Sequence, residues 1–396
     1  MDVICHVITK LELGGAQEVA MRVVSSLDRR RFRPVLIAGD GGLRTEEAHA
    51  LEGVDVHVIP SLVREIRPLQ DLRALWELVA TFRRLRPKIV HTHSSKAGIL
   101  GRLAAWLAGV PCILHTIHGY GVTPAQPLWL QHMVIKLEWM VGRVTTHWIA
   151  VSQADRRQGL EWELFSASKV SVVRPGIDPT AFAARIDQAE RDRLRAALGV
   201  GPEQLLLGTV SCLKPQKSPE DFIRVAALVC QRMPAAKCVL VGDGALRPQI
   251  EAMIHAHGLQ DRATLLGWRR DVASLLKAFD VFVLTSQWEG LPCAILEARA
   301  SRIPIVATRV GGSAEAIIEG IQGTLCPAGD VRAIASRVCQ ILGDERLRAD
   351  LRNGTQELPE EFTIQETVKQ YQSLYTYLLH ATRPAQDMMK LQPNRL

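Results

Sequence analysis

The chain is poor in aromatic side chains, 5 % of 396 residues, and it lacks several patterns that would fix its class at once. Its eight cysteines, at 5, 112, 212, 230, 238, 293, 326 and 339, include no C-x-x-C pair. Thiols scattered through apolar segments read as reduced core residues rather than a disulfide scaffold or a metal centre. No run of about 18 apolar residues is free of charge and proline. The best candidate, 99–114, contains Arg102 and Pro111, so no transmembrane span is expected. The start, Met1-Asp2 followed by a short apolar run over 3–8, lacks the basic and long apolar regions of a secretion signal, and a cytoplasmic protein is expected. There is no D-x-D, which argues against a metal-dependent diphosphate site, and no G-x-G-x-x-G after the first strand, which argues against a dehydrogenase. His91 and His93 form an H-x-H with no carboxylate or cysteine beside it to complete a zinc site, so no metal is expected.

What is present is a globular composition. Apolar residues make up 47 % and charged residues 22 %, enough to bury two sizeable cores without staples. The net charge is +7, and +6 of it falls in residues 1–175, with 22 basic and 16 acidic side chains. A basic first half points to an anionic partner, a membrane surface or a lipid phosphate, or else to a solvated face. Few aromatics and no nucleic-acid motif exclude a nucleic-acid partner.

Short β-branched runs alternate with amphipathic stretches. Strands are expected at 3–8, 35–38, 54–59, 89–91, 112–115, 148–151 and 170–173, and again at 205–210, 237–241, 264–266, 281–284, 303–307 and 324–326. Between the first set, Leu72, Leu75, Val79 and Phe82 recur at spacings of three and four and predict one helical face. Proline and glycine thicken over 174–183, where a linker is expected. Alternation of this kind predicts an α/β protein with two Rossmann-like, doubly wound parallel-sheet domains facing a cleft. The expected domains are 1–176, with a C-terminal helix at about 362–382 crossing back to it, and 177–361; 383–396 reads as a flexible tail.

Four constellations carry chemistry. Glu289 to Glu297 follows the strand 281–284 and opens E-G-x-P. Gly290 admits close ligand approach, Pro292 suits a helix start, and the free N–H groups around 291–294 can hold a phosphate or a sugar oxygen. Two carboxylates so separated can each accept from a vicinal diol. Lys214 and Lys217 lie in the loop after strand 205–210, where two ammonium groups can neutralise a diphosphate without a metal. Gly14-Gly15 follows the first strand and allows a backbone approach to phosphate; Gly242-Asp243-Gly244 and Gly311-Gly312 read as structural turns. Finally, His91, His93, His115 and His118 end two adjacent strands, and His118 can hydrogen-bond a hydroxyl or favour developing positive charge.

Taken in order, these segments resemble the retaining glycosyltransferases of glycosyltransferase family 4, which have the GT-B fold, over nearly the whole chain. The resemblance rests on Gly14-Gly15-Ala16-Gln17, the loops from His91 to Gly98 and His115 to Gly119, the hinge-like Arg174-Pro175-Gly176-Ile177-Asp178, Lys214 to Lys217, and the E-x7-E of Glu289 to Glu297. It implies that Glu289 binds donor-sugar hydroxyls and Glu297 the ribose diol. Gly290 and the backbone of Leu291, Pro292 and Cys293 would line sugar and phosphate. Lys217 would grip the diphosphate, Gly15 would touch it from the first domain, and His118 would stand by the reacting centre. Trp268 and Arg269 would meet the base, and His93 and Lys96 the acceptor side. Lys214 stands where the family usually has arginine, keeping the charge but losing the planar fork.

The implied function is metal-independent transfer, with retention, from a nucleoside diphosphate sugar, UDP-linked by preference, to a glycan or polyprenyl-diphosphate-linked acceptor in cell-surface polysaccharide or lipopolysaccharide assembly. No cofactor is required by that scheme, and the enzyme would be cytoplasmic, peripheral on the inner membrane face if the basic domain meets anionic lipid. The alternatives are a nucleotide-sugar epimerase of the same fold and a catalytically silent sugar-nucleotide-binding partner.

Overall fold

The computed structural model describes residues 1–123, 126–354 and 357–390, with side chains described as far as residue 381. The chain divides into two compact units, Met1–Gly176 together with the C-terminal helix from Ile364, and Ile177–Thr363.

The first unit is built on β1 (Asp2–Ile8), β2 (Phe32–Ala38), β3 (Asp55–Val58), β4 (Ile89–His93), β5 (Cys112–Ile117), β6 (His147–Ala150) and β7 (Val170–Val172), in the order β3-β2-β1-β4-β5-β6-β7. Every pairing is parallel. All side chains of β4 and β5 are buried, as expected of a sheet covered on both faces. On one face Cys5, Val7, Val35 and Ile37 pack against Leu78, Val79 and Phe82 of the helix Pro68–Leu85. On the other, Ile8, Leu36 and Ala38 pack against Met21 and Val24 of the helix Gly15–Ser26.

The second unit repeats the plan with β8 (Leu205–Val210), β9 (Ala236–Val241), β10 (Ala263–Leu265), β11 (Val281–Leu284), β12 (Ile305–Thr308) and β13 (Gly323–Cys326), in the order β10-β9-β8-β11-β12-β13 and again all parallel. Each sheet therefore reverses its strand order once, between β1 and β4 and between β8 and β11. At such a reversal the two following loops diverge and leave a crevice beyond the carboxyl ends of the strands, the place where open α/β sheets bind ligands.

Several expectations are corrected in detail. Strands β4 and β5 run on to His93 and Ile117, because the polar side chains at their ends find partners inside the fold. The helix Pro68–Leu85 buries Ala74, Leu78, Val79 and Phe82, while Leu72 is 52 % exposed; the small Ala74 occupies the core position that hydrophobicity alone assigns to leucine. The stretch 174–183 is not all linker. It contains the short helix Pro179–Ala183, whose N-cap Asp178 accepts from the Thr180 N–H. The last helix, Ile364–Lys390, continues into the stretch read as tail, of which 391–396 lie outside the described residues. The cysteines are all free thiols.

Candidate functional site

The reversal in the second sheet brings together two loops far apart in sequence. After β8 the chain makes a tight turn over Pro215–Lys217 before the helix Pro219–Arg232 begins. After β11 it runs through Thr285 to Glu289 and enters the helix Cys293–Ala300. Lys217 Nζ lies 2.5 Å from Glu289 Oε1, and the carboxylate is nearly buried, 5 % of its side chain exposed. Ser286 Oγ donates to the same oxygen at 2.6 Å and Gln216 Nε2 to the other at 3.3 Å. Gln216 also donates to the Trp288 carbonyl, and its own carbonyl accepts from the Gln287 N–H. Thr285 Oγ1 donates to the carbonyls of Lys217 and Ser218. The two loops are thus laced by side-chain and backbone bonds, and a charge taken almost out of water is matched by an ammonium group and two neutral donors.

The Glu289 turn is held from beneath by the Gly311-Gly312 turn after β12. Gly311 adopts φ +47, and a side chain there would stand 1.8 Å from the Glu289 carbonyl. The Gly312 N–H donates to the Gly290 carbonyl at 2.7 Å. This pair, expected to be merely a turn, is what permits Glu289 and Gly290 to sit where they do. Pro292 caps the helix rather than lying in its first turn, and Leu291 and Pro292 are buried while Cys293 and Glu297 are partly exposed. Lys214 is half-buried and its carbonyl accepts from the Lys217 N–H. Trp268 and Arg269 follow β10, two strands from the reversal; both are exposed, and Arg269 is paired with Asp271.

In the first sheet the reversal is marked by strain and by histidine. Ser94, between β4 and the helix Ser95–Leu107, adopts φ 63 and ψ 157, a region that glycine normally occupies. It is pinned to the loop after β1 by Thr9 Oγ1 at 2.7 Å. Thr9 Oγ1 also accepts from the Ala97 N–H. Gly15 is the first residue of its helix and is exposed. Lys96 does not project freely: it is paired with Asp71 at 2.5 Å and donates to the Glu65 carbonyl.

His118 is the partly exposed end of a buried cluster. Its Nε2 lies 3.0 Å from His93 Nδ1, and His93 Nε2 lies 3.0 Å from His6 Nδ1. His93 is therefore engaged on both ring nitrogens and 1 % exposed. This corrects its expected place on the acceptor side, since its ring reaches a ligand only through His118. Burial drives the pKa of His118 down to about 4 and that of His6 to about 3, and holds His91, His93 and His115 well below the ordinary histidine value. These rings are neutral at physiological pH.

The profile described as Glycosyltransferase Family 4 matches residues 13–181, and that described as Glycosyl transferases group 1 matches residues 190–358. The UDP-Gal:alpha-D-GlcNAc-diphosphoundecaprenol alpha-1,3-galactosyltransferase of Escherichia coli is 31 % identical over 375 residues, covering 94 % of this chain and 96 % of that protein. The chain belongs to glycosyltransferase family 4. A further relative is the capsular polysaccharide biosynthesis glycosyltransferase CapM of Staphylococcus aureus, 23 % identical over 90 % of this chain and 93 % of its own. Among solved structures, Anabaena Alr3699/HepE in complex with UDP and glucose has a TM-score of 0.81 at 22 % identity, covering 95 % of this chain and all of that one; this likeness bears on the fold.

For a family 4 glycosyltransferase, several residues around the candidate site escaped sequence reasoning. Ser286 and Gln216 were legible only as loop residues, and their contact with Glu289 depends on the β8–β11 adjacency. His6 could have been found: β-strand alternation puts His91 and His93 on one face of β4, and His6 is in register with His91 on the neighbouring strand. The helix Leu128–Gly142 also went unread. Only Val141 in it is buried, and Leu128 and Trp129 are 70 % and 67 % exposed. Its signal is an apolar sequence with no polar face, in a helix too short to span a bilayer.

Proposed function

We propose that this glycosyltransferase moves a hexose from a UDP-sugar, with retention and without a metal, onto a polyprenyl-diphosphate-linked glycan at the inner membrane face during cell-surface polysaccharide assembly. The observation that carries the reading is the Lys217–Glu289 pair at the strand-order reversal of the second sheet, in a chain that matches the Escherichia coli galactosyltransferase along almost its full length. That relative's named donor, UDP-Gal, and its lipid diphosphate acceptor supply the first substrates to test.

In this reading Glu289 accepts hydrogen bonds from sugar hydroxyls and Glu297 from the ribose diol. Lys217 and Lys214 turn to the diphosphate, the backbone of Gly290, Leu291, Pro292 and Cys293 lines the sugar, and Trp268 and Arg269 meet the base. Gly15 and His118 act on the same donor. The bond from the anomeric carbon to the UDP oxygen breaks as positive charge builds on the sugar. An acceptor hydroxyl bonds to that carbon on the face the diphosphate leaves, and its proton passes to a diphosphate oxygen. The products are UDP and the α- or β-glycoside that keeps the donor's configuration. Lysine ammonium groups stabilise the departing charge, a contact of a kind worth roughly 3–4 kcal/mol in the transition state.

The membrane part of the reading rests on the first unit. Leu128, Trp129, Met133 and Met140 of the helix Leu128–Gly142 are all at least half exposed, and the helix also carries the exposed Lys136. Among the described residues no helix is long and apolar enough to cross a membrane, so contact would be interfacial.

The test is an in vitro transfer assay with GlcNAc-diphosphate-lipid and a panel of UDP-sugars, run with and without chelator, with the product's anomeric configuration read by NMR. Transfer with retention, unaffected by chelator, supports the reading. Inversion, loss of activity on chelation, or conversion of the donor to an epimer in the absence of acceptor would overturn it.

A further inference from the structure

Six buried side chains and His118 form one unbroken line of hydrogen bonds in the first unit. Tyr371 OH lies 3.3 Å from Thr116 Oγ1, which lies 2.6 Å from His91 Nε2. His91 Nδ1 is 2.6 Å from Tyr375 OH, and Tyr375 OH is 3.0 Å from His6 Nε2. The line continues from His6 Nδ1 to His93 Nε2 and from His93 Nδ1 to His118 Nε2, each at 3.0 Å. Tyr371, Thr116, His91, Tyr375, His6 and His93 are at most 1 % exposed; His118, at the end, is partly open.

A neutral imidazole has one N–H and one bare nitrogen, so the choice made at one ring dictates the next. Burial keeps these rings neutral. The pivot is Tyr375, whose hydroxyl has a single hydrogen to give. If it goes to His91, the bonds run towards Thr116, which accepts from His91. Thr116 and Tyr371 then share one bond between two hydrogens, and one of them is left without an acceptor among the described residues, a buried donor unmade at considerable cost. If it goes to His6, every buried hydrogen is used. Tyr371 donates to Thr116, Thr116 to His91 Nε2, His91 Nδ1–H to Tyr375, and Tyr375 to His6 Nε2. His6 Nδ1–H then donates to His93 Nε2, and His93 Nδ1–H to His118 Nε2. The Nε2 of His118 is occupied as an acceptor, so its own hydrogen sits on Nδ1.

We infer that Tyr375 of the C-terminal helix, held in direction by Thr116 and His91 and acting through His6 and His93, locks His118 in the tautomer protonated on Nδ1, so that it offers the bound donor sugar an N–H and not a base. Tyr375 and the inner histidines are positioning residues. The inference rests on the reading of His118 as a donor-side residue given above. It adds the reason that His118 does not take the acceptor's proton: its Nε2 is occupied by His93 and its Nδ1 already carries a hydrogen.

The rival occupant of the cluster is a metal ion, because nitrogens of His6, His91 and His93 lie within 4.8 Å of one another. All six of their ring nitrogens already have hydrogen-bond partners, and a metal would break at least two of those bonds.

The decisive experiment is a long-range proton–nitrogen NMR correlation on the full chain labelled with 15N-histidine, near neutral pH. His118 is assigned by its loss in His118→Gln. The expected result is four neutral rings, His6, His91, His93 and His118, all protonated on Nδ1, the less common form of histidine in water. A wild-type His118 protonated on Nε2, a charged His118, or stoichiometric zinc in the purified protein would overturn the inference, and each is read on the wild-type chain. In Tyr375→Phe ring packing is kept and the pivotal hydrogen is removed. His118 is then expected to sample both tautomers, and the donor KM to rise about five- to tenfold, the value of one neutral hydrogen bond, with the affinity for UDP alone unchanged. If the tautomer is as expected but His118→Gln transfers sugar at the wild-type rate, the donor-side reading falls and the lock stands. If His118→Gln is inactive but the tautomer is reversed, the lock falls and the donor-side reading stands.

Discussion

Moderate acid should unfold the first unit well before the second. His6, His91, His93 and His115 are at most 5 % exposed, and burial holds their pKa values below the ordinary 6.5, at about 3 for His6. Below pH 6.5 the unfolded chain binds protons that the folded unit refuses, so stability is whole above that pH and lost as pH falls towards the folded-state values. One pH unit below 6.5, each such histidine costs about 1.4 kcal/mol, and the four together about 6 kcal/mol. That is the lower end of the roughly 5–15 kcal/mol by which a whole domain is stable. The second unit has no comparable cluster among its described residues; its two histidines, His255 and His257, are exposed. There Asp280 is resisted by burial, but the Leu206 N–H, Arg191 and Arg195 outweigh it and lower its pKa, so this contribution persists above pH 3.8 and is lost only as pH falls below it. Urea titrations at pH 7.5 and 5.5, followed by tryptophan fluorescence, would report mainly on the first unit, which holds six of the eight tryptophans. A stability loss under about 1 kcal/mol between those pH values would refute the reasoning.

Lys217→Ala and Glu297→Ala are each expected to cut sugar transfer at least about a hundredfold, the scale of one lost electrostatic contact; near-wild-type turnover in either would remove that residue from the site. Gly311→Ala should displace the Glu289 turn, since its Cβ would meet the Glu289 carbonyl at 1.8 Å. A stability loss of about 1–3 kcal/mol with a marked fall in activity is expected, and a thermal melt with an assay checks both. Asp280→Ala leaves Arg191 and Arg195 facing an emptied buried site and should destabilise the second unit by about 3–5 kcal/mol, measured by denaturant titration. In liposome flotation, binding to anionic vesicles should weaken with salt, by about 1 kcal/mol for each basic residue near the surface that is screened. Replacing Trp129 and Met133 by glutamate should abolish it; unchanged flotation would detach this helix from the membrane.

The fold class was legible because parallel strands covered on both faces announce themselves as short β-branched runs, and the alternation restarts after the Pro175-Gly176 break. What could not be read was which side chains meet across long stretches of chain. Tyr371 and Tyr375 are an ordinary i, i+4 pair in an amphipathic helix, and nothing local says that one bonds a histidine 369 residues earlier. The Gly311-Gly312 turn looked structural, and it is; its importance lies in what it supports, the Glu289 carbonyl on the far side of β12 in sequence. Leu72 misled because a spacing of three and four marks a face but not its edges, and the neighbouring Ala74 is small enough to bring that helix close to the sheet.

The first sheet is completed by the last helix, and this has a consequence for biosynthesis. A ribosome must make all of residues 177–363 before Tyr371 and Tyr375 exist to cover His91 and His6. The N-terminal sheet waits with an apolar and histidine-lined face uncovered while the other domain emerges and folds, the interval in which an exposed surface is most prone to stick to its neighbours. The domain that is translated first is therefore the one that matures last.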